Sequence, residues 1–224
     1  VKEGIGQFLN CSAEEIAFTR NTTEGSNIVC NGLQLQPGDE IITSSHEHVG
    51  NTITWLARAQ RDGLSIRVFE PANDGEKTVE RIEALLSKRT RAISIPHVSC
   101  ASGQVLPVEN IGQIAKTYGL FYFLDGAQAL GCTPVDLQKI GCHAYATSGH
   151  KWLLGPNGTG FLFVHQDWLD RVQATHVGAY SNAGDFSMET GMFSFIESAQ
   201  RYEYGTINAS LIAGLGAVLS FWQT

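Results

Sequence analysis

The stretch LFYFLDGAQ, residues 120–128, decides the fold. Residues 120–124 form an unbroken apolar run suited to a strand buried on both faces, and Asp125 follows it directly. Such a strand belongs to a sheet with helices packed on either side. The flanking sequence carries the same alternation. Upstream lie a strand at 91–96 and a helix at 108–118 with Pro107 just ahead of it. Earlier still, residues 16–19 read as a strand entered through Ser12-Ala13-Glu14-Glu15, a capping-box pattern. Thr22 or Thr23 can cap a helix reaching about residue 33, and Pro37-Gly38-Asp39 turns the chain. A strand at 40–43, a helix at 48–61, a strand at 65–69 and a helix at 79–86 follow, the last with Ile82, Leu85 and Leu86 on one face. Downstream, strands at 143–147 and 160–164 precede a short helix at 167–173. This alternation predicts one α/β domain across residues 1–224, built on a mostly parallel sheet flanked by helices. Residues 175–206 read as a long Gly- and aromatic-rich excursion, a kind of loop that is usually functional or flexible. Val1 falls inside one helical pattern and Thr224 just after another, so the sequence reads as a fragment.

Composition narrows the function. Lys and Arg number 15 against 22 Asp and Glu, a formal net charge of −7, which argues against a nucleic-acid-binding face. A chain that is 43% hydrophobic and 17% charged is expected to fold rather than remain disordered. The longest near-apolar run, residues 211–222, falls well short of the roughly 20 residues of a membrane span. The five cysteines are odd in number and contain no CxxC pair. They suggest neither a disulfide framework nor a zinc ribbon, but reduced thiols in a cytoplasmic protein.

Ligands of open α/β sheets bind beyond the carboxyl ends of the strands. Asn21, Thr22 and Thr23 follow the first strand, and Ser44, Ser45, His46, Glu47 and His48 the second. His97, Ser99 and Cys100 follow residues 91–96, Asp125 and Gln128 follow 120–124, and Ser148, His150 and Lys151 follow 143–147. Five strands thus deliver polar or titratable groups to one edge. Taken alone, Asp125 also suits a helix cap or a turn, and Lys151 a solvated surface position. Taken together they suggest more. A desolvated lysine forms Schiff bases with carbonyls. A buried carboxylate opposite it can hold a pyridine nitrogen protonated, the arrangement pyridoxal phosphate requires. Thr22 and Thr23 open a helix whose free N–H groups and dipole attract a phosphate, although a plain N-cap accounts for them equally. No GxxxxGK[ST] is present, and the glycine-rich run at 155–160 precedes a strand rather than a helix, which argues against nucleotide-binding loops.

The stretches RNTTEGSNIV, HEHVGN, FLDGAQALG and TSGHKWLLGPNGTGFLFV, in that order, resemble the class V aminotransferase-like pyridoxal phosphate enzymes. That group includes cysteine desulfurases, cystine C–S lyases and isopenicillin N epimerases. The resemblance implies the large domain of fold type I, with Lys151 as the Schiff-base lysine and Asp125 on the pyridinium nitrogen. Gln128 would meet the ring's phenolic oxygen, and His48 would stack on the ring and relay protons. Thr22, Thr23, Ser148 and His150 would hold the phosphate. RYEYGTIN resembles the family's Arg-x-Glu-x-Gly-Thr segment, which assigns Thr206 to the neighbouring subunit's phosphate and implies a homodimer. Expected chemistry is C–S cleavage of a sulfur-containing amino acid, with epimerisation or transamination as alternatives on the same fold. Desulfurases usually carry Asn after His-Val-Ser, where HVSCASGQVLP has Cys100, a departure that leans towards lyases and epimerases. The family's substrate-binding arginine and sulfur-accepting cysteine belong to a C-terminal small domain, outside this sequence. A rival from another class, a metal hydrolase using His46, His48, His97 and Cys100, rests on weak spacing without a closing ligand set.

Overall fold

The computed structural model describes residues 1–222. In chain order it begins with α1 (Lys2–Leu9), β1 (Ile16–Thr19), α2 (Thr22–Gly32), β2 (Glu40–Ser44), α3 (Val49–Asp62) and β3 (Ser65–Phe69). Next come α4 (Gly75–Glu83), β4 (Thr90–Pro96), α5 (Val108–Tyr118), β5 (Phe121–Asp125), α6 (Leu137–Ile140), β6 (Ala144–Ser148) and β7 (Gly160–Val164). A hairpin of β8 (Asn182–Ser187) and β9 (Met192–Phe195) precedes α7 (Ala209–Trp222).

The main sheet has seven strands in the order β1-β7-β6-β5-β4-β2-β3. Neighbours from β6 to β3 pair in parallel, while β7 pairs antiparallel with both β6 and β1. Only β7 therefore runs against the rest, and the other strands all end on one edge. Mixed but mostly parallel is the expected sheet.

Side-chain alternation along the strands divides the core into two layers. Phe121 and Phe123 face one side with Ala144, Ala146 and Leu162, beneath α2 and α3. Tyr122 and Leu124 face the other side with Tyr145, Phe161 and Phe163, beneath α1, α5 and α7. All five residues of β5 are buried, as its unbroken apolar run predicts. Burying one such large side chain contributes about 1.5–3 kcal/mol, so these strands are a rigid base for the groups at their ends. Close approach seats α2 there. A Cβ on Gly25 would lie 2.7 Å from the Ala146 Cβ, so a larger residue would lift the helix off β6.

Several expectations need correction. The cap of α2 is Asn21, whose side chain accepts from the Glu24 N–H at 2.9 Å, rather than Thr22 or Thr23. The Thr22 hydroxyl is instead engaged by Ser148. α4 starts earlier than predicted because Asp74 caps it, and it ends before Leu85 and Leu86. The helix expected at 167–173 is only a 3₁₀ turn, Gln166–Trp168. Val172 pairs with Leu33, and the Gln173 N–H bonds the Gly32 carbonyl at 2.9 Å, which draws the chain out of helical geometry. The excursion at 175–206 contains the β8–β9 hairpin and two 3₁₀ turns. α6, capped by Asp136, is too short to show a helical period.

Candidate active site

The carboxyl edge of the sheet gathers most of the predicted groups. Asp125 is the last residue of β5 and is 6% exposed. Its Oδ1 accepts from the Ala127 N–H at 2.9 Å. Burial pushes the carboxyl above its usual range, while that N–H and the charges of Lys151 and His48 pull the other way. Asp125, Lys151 and His48 therefore share one electrostatic neighbourhood, although they come from loops after three different strands.

Two loops beyond the parallel pair β5 and β6 form its floor. Gly126 packs so closely on the Tyr145 ring that a Cβ there would lie 2.0 Å from it, and no other residue fits beside Asp125 without moving that ring. The Tyr145 hydroxyl and His97 Nδ1 are 3.1 Å apart, both residues buried. Burial drives the His97 ring to about 4, so it is neutral at physiological pH. The Lys151 loop is closed by Leu154 N–H to Lys151 carbonyl at 2.9 Å and Gly155 N–H to Gly149 carbonyl at 2.6 Å. Leu154 has φ 67°, a left-handed conformation that costs a branched residue energy and persists only where the surrounding structure imposes it. Trp152 Nε1 donates to Gln128 Oε1 at 2.8 Å, tying the Lys151 loop to the Asp125 loop.

At the start of α2, the Ser148 Oγ accepts from the Thr22 N–H at 3.0 Å and lies 2.8 Å from the Thr22 hydroxyl. Thr23, one residue on, is exposed. His48 is the N-cap of α3, its Nδ1 accepting from the Gly50 N–H at 3.0 Å. A Cβ on Gly50 would lie 2.7 Å from the Thr23 hydroxyl and 3.1 Å from His48 Nδ1, which shows how closely the ends of α2 and α3 meet. His150 Nδ1 is buried without a hydrogen-bond partner, a polar atom whose burial is costly unless a ligand satisfies it.

Thr206 stands apart. It is exposed and lines a separate cleft of 350 Å³ with Arg20, Glu24 and Gly158. The rival metal reading finds no geometry to support it. Among the described residues no three His, Cys, Asp or Glu side chains are placed to hold one ion. His97 is turned to Tyr145, and Cys100 is exposed in the turn after β4. Sequence reasoning gave no role to Glu47 or Tyr145. Glu47 was visible as a polar residue after a strand; Tyr145, inside an apolar strand, gave no signal at all.

The class-V aminotransferase family model matches residues 1–224. The chain is 38% identical over 228 residues to a cysteine desulfurase of Serratia proteamaculans, covering 100% of this chain and 55% of that protein. It is 34% identical over 222 residues to a probable cysteine desulfurase of Methanothermobacter thermautotrophicus, covering 98% and 54%. Among solved structures, the complex between the cystine C–S lyase C-DES and its reaction product cysteine persulfide superposes with a TM-score of 0.92 at 31% identity, covering 99% of this chain and 59% of that one. Another C-DES structure holds glycine covalently linked to its PLP cofactor, with a TM-score of 0.91 at 30% identity over 99% of this chain and 59% of that one. The chain spans about half the length of the curated relatives it matches. With the fold and the family match in agreement, this chain belongs to the class-V aminotransferase family and has the fold type I architecture of its pyridoxal phosphate-dependent members.

Proposed function

We propose that the chain is the cofactor-binding part of a pyridoxal phosphate enzyme that cleaves a C–S bond of cysteine, cystine or a related amino acid. The observation that carries this reading is the convergence of Asp125, Lys151 and His48 at one sheet edge. The donor set fits the cofactor. On balance burial disfavours the Asp125 carboxylate despite Lys151 and His48, and a protonated ring nitrogen would supply a further cationic partner. The α2 N-terminus with Thr22, Thr23, Ser148 and the unpartnered His150 Nδ1 suits a phosphate. Bound there, the cofactor supplies an aldehyde for the substrate amine and an electron sink for its α-carbon.

The remaining chemistry belongs to the chain. Lys151 would hold the cofactor's aldehyde group and, once freed, would move the substrate α-proton as general base and acid. Asp125 keeps negative charge against the ring nitrogen in a place that excludes water. His48 has Nδ1 committed to its helix cap, so its imidazole plane would be left to pack on the cofactor ring and Nε2 to relay protons. Gln128, oriented by Trp152, offers its amide N–H to the ring oxygen. Thr206, exposed and outside this cluster, suits the phosphate of a second copy in a homodimer. The amino-acid substrate is a sulfur compound on the strength of the relatives, a cysteine desulfurase and a cystine C–S lyase. Five free thiols fit a reducing, cytoplasmic setting, and among the described residues no helix is long and apolar enough to cross a membrane.

Borohydride trapping tests this reading. The full-length protein with pyridoxal phosphate is expected to be yellow, and reduction should fix the label on the peptide holding Lys151. A label on another lysine, or a colourless protein, would sink it.

Cys100 gives a separate test. Its nearest upstream histidine, His97, is neutral and turned to Tyr145, so it does not serve to activate the thiol. Cys100→Ser should retain most C–S cleavage, measured as turnover of cysteine and cystine. Complete loss of activity, or a persulfide on Cys100 by mass spectrometry, would make this thiol the nucleophile instead.

A further inference from the structure

Glu47 has no part in the roles assigned so far. It precedes His48 in the turn between β2 and α3, and its carboxyl end is turned inwards. The Asn51 side chain donates to Oε2 at 2.7 Å, and the Thr43 hydroxyl donates to Oε1 at 3.3 Å. These anchors join the end of β2 to the first turn of α3. The same turn holds His48, whose carbonyl accepts from the Asn51 N–H at 2.9 Å.

Burial and the Asp125 carboxylate oppose a charge on Glu47, while the hydrogen bonds it accepts favour one. Thr43, Asn51 and the main chain of Ser44 are neutral, and the titratable group bearing on it from another element is Asp125, at the end of β5. On its own turn lie His46 and His48, and the positive charge of Lys151 bears on Asp125. Two carboxylates in one enclosed place disfavour double ionisation. Burial, the largest effect, together with Asp125 outweighs the bonds from Asn51, Thr43 and the Ser44 main chain and pushes the Glu47 carboxyl up to about 8. Asn51 Oδ1 is also buried without a partner; turning that amide over would let Oδ1 accept a proton from Glu47, a bond open only to the uncharged acid.

We propose that Glu47 is a positioning residue of this site: through Thr43 and Asn51 its carboxyl ties the end of β2 to the first turn of α3 and so anchors the turn carrying His48, in the neighbourhood of Asp125. The proposal rests on the cofactor reading above.

The test compares wild type, Glu47→Gln and Glu47→Ala in the full-length protein, with and without pyridoxal phosphate. A carboxyl that keeps its proton when folded and loses it when unfolded makes stability fall as pH rises from the ordinary carboxylate range to about 8. Wild-type Tm should therefore drop relative to Glu47→Gln across that window, by at least about 2 °C. Glu47→Gln mimics the uncharged acid and should bind the cofactor more tightly than Glu47→Ala, by about tenfold for the lost anchor. Parallel Tm-against-pH curves in wild type and Glu47→Gln overturn the proposal, and so does equal cofactor affinity in the two variants. Borohydride labelling separates the two levels. If Lys151 of the wild type is not labelled, the cofactor reading falls; if it is labelled and the pH curves coincide, only the role of Glu47 does.

Discussion

Lys151→Ala in the full-length protein is expected to lower turnover of cysteine or cystine by at least roughly 10²–10⁴-fold, the range attached to a lost acid–base group. Loss of the covalent anchor for the aldehyde adds to that. The fold should survive. The hydrogen bonds that close the loop, Leu154 N–H to Lys151 carbonyl and Gly155 N–H to Gly149 carbonyl, are made by main-chain atoms that alanine retains. Thermal unfolding should therefore stay close to wild type while steady-state turnover collapses. Turnover within a few-fold of wild type would remove Lys151 from the chemistry.

Asp125→Asn should slow C–S cleavage by about 10²–10³-fold, the loss typical of removing one preorganised electrostatic contact. The asparagine oxygen can still accept from the Ala127 N–H, so the β5 turn keeps its shape. Without cofactor the variant should be no less stable than wild type, because a carboxylate that burial disfavours is removed. Thr23→Ala is the contrast: a lost phosphate contact should weaken cofactor binding by about 1 kcal/mol and leave saturated turnover little changed. Titration with pyridoxal phosphate beside single-turnover kinetics distinguishes the two. Equal, mild losses in both would contradict the separate roles.

The elements that carry these groups were legible because burial wrote them into the sequence. β5 showed as an apolar run because both of its faces are covered, and β1, β3 and β7 lie at the residues predicted for them. Helix ends were harder, because caps compete. Thr22 and Thr23 read as caps of α2, but the Asn21 side chain takes the Glu24 N–H and Thr22 is engaged across the sheet edge by Ser148, a contact no local pattern shows. β8 includes Ala183, Gly184 and Asp185, so its sequence shows neither β-branched character nor alternation. Within the site, the strand-end rule singled out Asp125 and Lys151 because their loops follow parallel neighbours. The setting of Glu47 and Tyr145 depends on which side chains meet behind the loops, and no local pattern encodes that.

The reversed strand also dictates an order of assembly. β1 is the first strand the chain makes, yet its sheet partner, β7, begins only at Gly160. Until then β1 has no ladder, and an unpaired edge is open to wrong partners. Pairings between segments so far apart in sequence are slow to form. Thr22 follows β1 and docks on Ser148 of β6, so that contact joins the same distant segments as the β1–β7 pairing does. Closure of the edge where α2 meets β6 thus depends on pairing between the two ends of this sequence, whereas Asp125 is held by the more local β4–β5–β6 pairings.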